Sequence, residues 1–227
     1  MTSGPGHRAA ARGAHARLRP GGRSRAGRGS ARKRAAILAG ALRVFARDGY
    51  TCASVSAVAA ASGVSTRTVY NHFGDKARLF QRVLQESARK VAEEQVAIIG
   101  RHLGELTEAE GGLIAFGRAW AGSATAHPDH FAVVRQISAE ACRVPHAALS
   151  AWREAGPVRV RREVARRLSG PAGRGLPPLG DPERAALHLL LLVTEPQGSA
   201  GALTAEEREE LVVAGVRTFL HGYAPAP

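Results

Sequence analysis

Cysteine is scarce in this chain, with Cys52 and Cys142 the only two in 227 residues. They lie ninety residues apart, so they form neither a disulfide framework nor a zinc-finger spacing. A cytoplasmic protein with reduced thiols is the expectation. Cys142 is expected to be a small buried apolar group, because no neighbouring residue gives a cause for a depressed thiol pKa. No run of eighteen apolar residues occurs, so neither a transmembrane helix nor membrane association is expected. The N-terminus lacks an apolar h-region, so a secretory leader is not expected either. The chain has no P-loop, no dinucleotide fingerprint and no nucleophile–base pair, which argues against an enzyme and gives no reason to expect a cofactor. No stretch alternates polar and apolar residues as a strand would, and no internal repeat is visible.

Acid is absent from the first 34 residues, which carry ten Arg and Lys. Twenty-two basic and nineteen acidic residues follow, so of the net +13 only about three charges belong to the remainder. The basicity is a property of the N-terminal arm. Residues 1–29 are rich in Gly, Ala, Arg and Pro and cannot bury enough apolar surface to fold, so they are expected to be a disordered basic arm. Such an arm either touches DNA phosphates or is an inert extension. A case for DNA must therefore come from particular residues of the folded part.

Helical periodicity starts near Ser30, with Leu38, Ala41, Leu42 and Phe45 on one face. Gly49 is a plausible C′ stop. Ser54 caps a short second helix with Val55, Val58 and Ala59 inward. Gly63 permits the positive φ of a sharp turn, and Val64 plugs the small core. Ser65 caps a third helix over 66–72, ended by Phe73 and Gly74. Asp75 caps a long fourth helix from Lys76 to about Ile99. Further helices are expected from a Thr107/Glu110 capping box to Ala126, across Pro128 with Phe131, Val134, Ile137 and Ala141 on one face, over Pro145–Ala155, and from Pro157 to Ser169. A Gly/Pro-rich loop over 170–180 precedes a helix opened by Asp181-Pro182-Glu183. Thr204 to Glu207 is a second capping box, opening a helix through Phe219.

The segment Gly63 to Lys76 carries the functional reading. A helix-turn-helix lays its second helix in the major groove with its N-terminal residues at base edges. Thr66, Arg67 and Thr68 occupy that place. Arg67 can donate bidentately to guanine, and the threonines can meet thymine methyls or phosphates. Tyr70 and Asn71 can reach a base edge or the backbone. His72, Lys76 and Ser54 suit phosphate. Val69 and Phe73 are core.

From Ala35 to Leu84 the chain resembles the N-terminal domain of the TetR family of bacterial transcriptional regulators. The likeness rests on Ile37-Leu38, Phe45, Gly49-Tyr50, Ser54-Val55, Val58-Ala59, Gly63-Val64-Ser65, Thr68-Val69-Tyr70, His72-Phe73, Lys76 and Leu79. The resemblance implies phosphate contacts from Ser54, Tyr70, His72 and Lys76 and base contacts from Thr66, Arg67 and Thr68. Arg67 departs from the small residue that many members carry, so the operator sequence does not follow. Residues 100–227 resemble the AefR-like C-terminal region of that family, through Ala115-Phe116-Gly117-Arg118, Ala139-Glu140-Ala141, Glu154-Ala155-Gly156-Pro157 and Asp181-Pro182. That likeness implies a helical part that binds a ligand and forms a dimer.

The fold class expected is all-α: a three-helix helix-turn-helix DNA-binding domain over 30–80 and a helical ligand-binding and dimerisation domain over 81–227. Leu187–Val193 and Leu211–Phe219 carry apolar surface suited either to a four-helix interface between two copies or to burial in one chain. Aromatic residues are only 5% of the chain, so those in the C-terminal half stand out as cavity candidates. Phe116, Trp120, Phe131, Trp152 and His188 are either cavity residues or simple packing, and Arg135 and Glu140 either orient a polar ligand or are surface charges. His127, Asp129, His130 and His146 invite a metal reading, but Pro128 interrupts their spacing and no metal is expected. The expected partners are a double-stranded DNA operator, a small-molecule effector and a second copy of the chain. Activation instead of repression, or sequence-indifferent polyanion binding through the arm, are the alternatives.

Overall fold

The computed structural model describes residues 1, 25–104, 106, 108–170, 175–195 and 203–223. The expected arm over 1–29 lies outside these except for Met1 and its last five residues. Ten α-helices and no strand occur among the described residues. They are α1 (Arg25–Cys52), α2 (Val55–Ser62), α3 (Thr66–Phe73), α4 (Lys76–His102), α5 (Ala109–Ala126), α6 (Pro128–Ala139), α7 (His146–Ala155), α8 (Pro157–Ser169), α9 (Pro182–Leu192) and α10 (Ala205–Tyr223).

Helix α1 begins five residues before the periodic pattern does. Residues 28–36 are exposed, so no apolar face exists there to signal a helix. Their Ala, Arg and Lys have high intrinsic helix propensity and extend the helix from its packed end. Near its other end, Gly49 adopts φ 70°, ψ −178°, a conformation open essentially to glycine alone. The caps of the next helices are local and short-ranged. Ser54 Oγ accepts from Ala57 N, Ser65 Oγ from Thr68 N, and Asp75 from Arg78 N. Gly63 sits in the left-handed region at φ 65°, which lets its N–H reach the carbonyls of Ala59 and Ala60 and turns α2 into α3.

Two apolar cores share α4. The first gathers Ile37, Val44 and Phe45 of α1, Val58 of α2, Val69 and Phe73 of α3, and Leu79, Phe80, Val83 and Leu84 of α4. Phe80 is its hub, with Phe45 edge-on at 4.7 Å and Tyr50 at 4.7 Å. Val133 and Ile137 of α6, Val144, and Ala148 of α7 complete this core. No core boundary therefore falls at residue 80, because side chains of α6 and α7 belong to the same core as those of α1 to α4. The second core joins Ala92 and Ile99 of α4 to α5, α8, α9 and α10 through Leu113, Phe116, Val164, Leu189, Val216 and Phe219.

Several local expectations change. Glu108 caps α5, accepting from Glu110 N and Gly111 N, and Thr107 lies outside the described residues. Helix α6 stops at Ala139, so Ala141 is exposed in the following turn and does not continue the helical face. The buried face is His130, Val133 and Ile137. Cys142 is in the same turn and is exposed, as Cys52 is, so the expectation of a buried thiol is overturned. Thr204 and Glu207 do form a reciprocal box, Thr204 N to Glu207 Oε2 at 2.8 Å and Glu207 N to Thr204 Oγ1 at 3.1 Å. No described helix is long and apolar enough to cross a membrane.

Candidate nucleic-acid interface and cavity

Helix α3 is eight residues long, and its two faces differ sharply. Val69 and Phe73, one turn apart, are buried in the first core. Thr66, Arg67, Tyr70 and Asn71 are exposed, with Tyr70 at 50%. Thr68 is half-buried, its Oγ1 lying 2.9 Å from Ser65 Oγ. Arg67 has no ion pair among the described residues. A side chain with five N–H donors is therefore free at the start of an accessible helix.

The flanking groups surround this face. Ser54 is exposed, and its Oγ accepts the capping bond while its proton stays available to donate. His72 is half-buried beside Arg34, Arg78 and Arg82, which frame a polar recess with it. Lys76 Nζ donates to Thr51 O at 3.1 Å and lies 4.9 Å from the Tyr50 ring centre. Its ammonium keeps further donors for phosphate.

Sequence reasoning missed what holds this corner in place. Glu140, at the end of α6, accepts from Thr51 N at 2.8 Å and Thr51 Oγ1 at 2.6 Å. Gly49 lies against the same carboxylate, so a Cβ built there would fall on Glu140 Oε1. Glu140 thus bonds the α1–α2 junction and is not in the cavity as expected. Its eighty-nine-residue separation from Thr51 leaves no local pattern to find.

A cavity of about 630 Å³ opens between α4, α5, α6, α7, α8 and α9. Trp120, Phe131 and Trp152 are on its wall. Three other candidates are elsewhere. Phe116 is fully buried behind Trp120, with ring centres 5.7 Å apart. Arg135 is exposed, because Phe131 and Val134 take the cavity-facing phase of α6 and the next residue turns to solvent. His188 is on the outer side of α9, where its Nδ1 meets Tyr223 Oη at 2.9 Å. His130, expected only as a metal candidate, lines the cavity instead.

His130 Nδ1 lies 3.1 Å from Ser87 Oγ, and Ser87 Oγ donates to Leu84 O. With the Ser87 proton on Leu84 O, Nδ1 is assigned the ring proton, which leaves Nε2 as an acceptor in the neutral ring. Burial pushes the imidazole pKa down to about 4, with nearby His127 adding to the effect. His127 itself bonds Glu94 at 2.5 Å, and among the described residues no three metal-ligating groups converge.

The sign of the resulting pH dependence follows. The unfolded imidazole titrates at about 6.5, so below that pH the unfolded chain binds a proton that the folded chain refuses. Stability is complete above about pH 6.5 and falls toward pH 4, by about 2 kcal/mol at pH 5 from this group. Urea midpoints at pH 7 and pH 5 check this: His130→Leu should remove that part of the loss.

The descriptions of two families match the chain: "Bacterial regulatory proteins, tetR family" over residues 37–83, and "AefR-like transcriptional repressor, C-terminal domain" over residues 111–225. The chain belongs to the TetR family of transcriptional regulators. A TetR-family regulator from Mesorhizobium loti superposes with a TM-score of 0.73 at 29% identity, covering 86% of this chain and 98% of that one. The flavonoid-responsive regulator FrrA superposes at 0.59 with 26% identity, over 87% of this chain and 100% of its own. The transcriptional repressor AcnR of Corynebacterium glutamicum is 44% identical over 57 residues, 25% of this chain. This TetR-family chain thus spans only about 30% of the length of the curated relatives it matches.

Proposed function

We propose that this TetR-family chain is a repressor that binds a palindromic operator as a homodimer and is released by a small organic effector. The single observation that carries the reading is the exposed outer face of α3, presented by a buried inner face. Residues 30–80 act as the reading head, and residues 81–227 bind the effector and form the dimer. Thr66, Arg67 and Thr68 meet base edges, Tyr70 and Asn71 reach bases or backbone, and Ser54, His72 and Lys76 hold phosphates. The effector favours a conformer in which the two heads no longer match the half-site spacing, which requires different affinities for the two states. The FrrA likeness and the aromatic-lined cavity support a small-molecule effector.

The dimer reading is supported by the outer face of α9. Arg184, Leu187, His188 and Leu191 follow helical spacing and all are exposed, Leu187 at 40% and Leu191 at 66%. Leu189 of α9, Val193 at its end, and Val212, Val216 and Phe219 of α10 are buried inside the chain. The remaining apolar stripe suits a second copy, because two reading heads on a palindrome require a two-fold axis. Leu191→Glu should give monomers in sedimentation velocity with an unchanged helical spectrum. A dimer that persists at micromolar concentration would remove this stripe from the interface.

Selection of bound duplexes from random DNA tests the whole reading. Full-length chain and a chain lacking residues 1–24 should both recover one inverted repeat. Recovery of unrelated sequences, with binding lost on truncation, would mean a polyanion binder acting through its arm.

A further inference from the structure

The cavity's polar groups restrict what can fill it. Its wall contains two tryptophans whose indole N–H groups differ. Trp120 Nε1 donates to Thr194 Oγ1 at 2.9 Å, and Thr194 in turn donates to Leu190 O. That donor is satisfied, so Trp120 offers only its apolar ring. Trp152 Nε1 is buried and has no partner among the described residues. An orphaned buried donor is costly, and it is relieved by any acceptor the ring can turn to meet. The Trp152 ring forms part of the wall while Nε1 lies beneath it, so a ligand acceptor reaches this donor only if the indole turns.

On the α6 side His130 offers the opposite polarity. Its Nδ1 proton is committed to Ser87, so Nε2 accepts. Among its aromatic and aliphatic surfaces the cavity thus presents the Trp152 donor, the His130 acceptor and the amide of Gln95, which can do either. Among the described residues no carboxylate lines it. The two charged lining groups are Arg153 and Arg161, and Arg161 is held by Glu183 at 3.0 Å. Nothing there would balance a cationic ligand, whereas Arg153 tolerates an anionic one.

We propose that the cavity takes a planar phenolic molecule that also bears a carbonyl or carboxylate, its hydroxyl donating to His130 Nε2 and its carbonyl-type oxygen accepting from Trp152 Nε1. This rests on the reading of the cavity as the effector site. Trp120 and Phe131 supply the faces against which the aryl rings stack.

Calorimetric titration of the full chain tests it with four probes: 4-hydroxybenzophenone, benzophenone, 4-benzylphenol and 4-hydroxyphenyltrimethylammonium. The first has both polar groups, the second only the carbonyl, the third only the hydroxyl, and the fourth carries a cation. The first should bind about tenfold or more tighter than the second or third, and the fourth should not bind. His130→Leu should abolish the preference over benzophenone and leave the preference over 4-benzylphenol. Trp152→Phe, which keeps the ring, should do the reverse. Melting curves confirm that each variant is folded. Equal affinities across the first three probes, equal losses for all probes in both variants, binding of the cation, or no aryl binding by folded protein would each overturn the proposal. Release from the selected duplex is measured separately. Binding in the predicted order without release would leave the ligand class standing and sink the effector reading.

Discussion

Replacing Arg67 with alanine should cost about 1–3 kcal/mol per half-site, and so about 2–6 kcal/mol for a symmetric dimer on its operator. The affinity falls roughly thirtyfold to twenty-thousandfold. The argument is one of accounting for donors. Arg67 is exposed at the start of α3, and no carboxylate pairs with it among the described residues. Its removal leaves the subunit's packing untouched, since Val69 and Phe73 hold the helix from the other side. The loss should be confined to one base pair per half-site, where discrimination among the four alternatives collapses. Arg67→Lys should recover phosphate-like attraction without the lost discrimination, because an ammonium cannot fork across two acceptors. Competition binding on the selected operator and its single-base variants checks this. Unaltered discrimination in Arg67→Ala would show that this side chain reads no base.

Gly49→Ala should destabilise the fold by about 3 kcal/mol, a large effect for a single methyl group. Two independent costs combine. The backbone there, φ 70° and ψ −178°, is close to forbidden for any residue with a Cβ. The new methyl also meets Glu140 Oε1 and crowds Gln136, so the carboxylate must leave Thr51. The costs can be separated. Glu140→Ala alone should cost about 1 kcal/mol for two solvent-accessible bonds to a charged acceptor. In the double variant the clash disappears and the backbone strain remains, so the effects should be clearly less than additive. Denaturant midpoints of the four proteins supply the cycle. Additive effects would mean that the methyl and the carboxylate do not meet.

The helix pattern was legible because its signals are local. Ser54, Ser65 and Asp75 each cap within one turn, Pro128 and Pro157 each start a helix, and Gly63 marks the tight turn. The exposed face of α3 could also be read, since two apolar residues one turn apart fix its phase. What escaped was long-range. Nothing near Glu140 announces that it bonds Thr51, and nothing near Val133 or Ile137 announces that they close the core around Phe45 and Phe80. The cavity was half legible for the same reason. Aromatic identity pointed to Trp120, Phe131 and Trp152, but the angular position of each helix decided that His188 faces outward and that His130 faces in. The chain's strongest functional string says nothing about these placements, because they depend on how one helix is rotated against another.

Helix α4 contributes Phe80 and Leu84 to one core and Ala92 and Ile99 to the other without a break. Fraying of α4 would disturb the backbone on which both cores are built. The two halves should therefore melt as a single cooperative unit, and a scissor cut near residue 80 would yield a fragment with an open side where α6 and α7 used to sit.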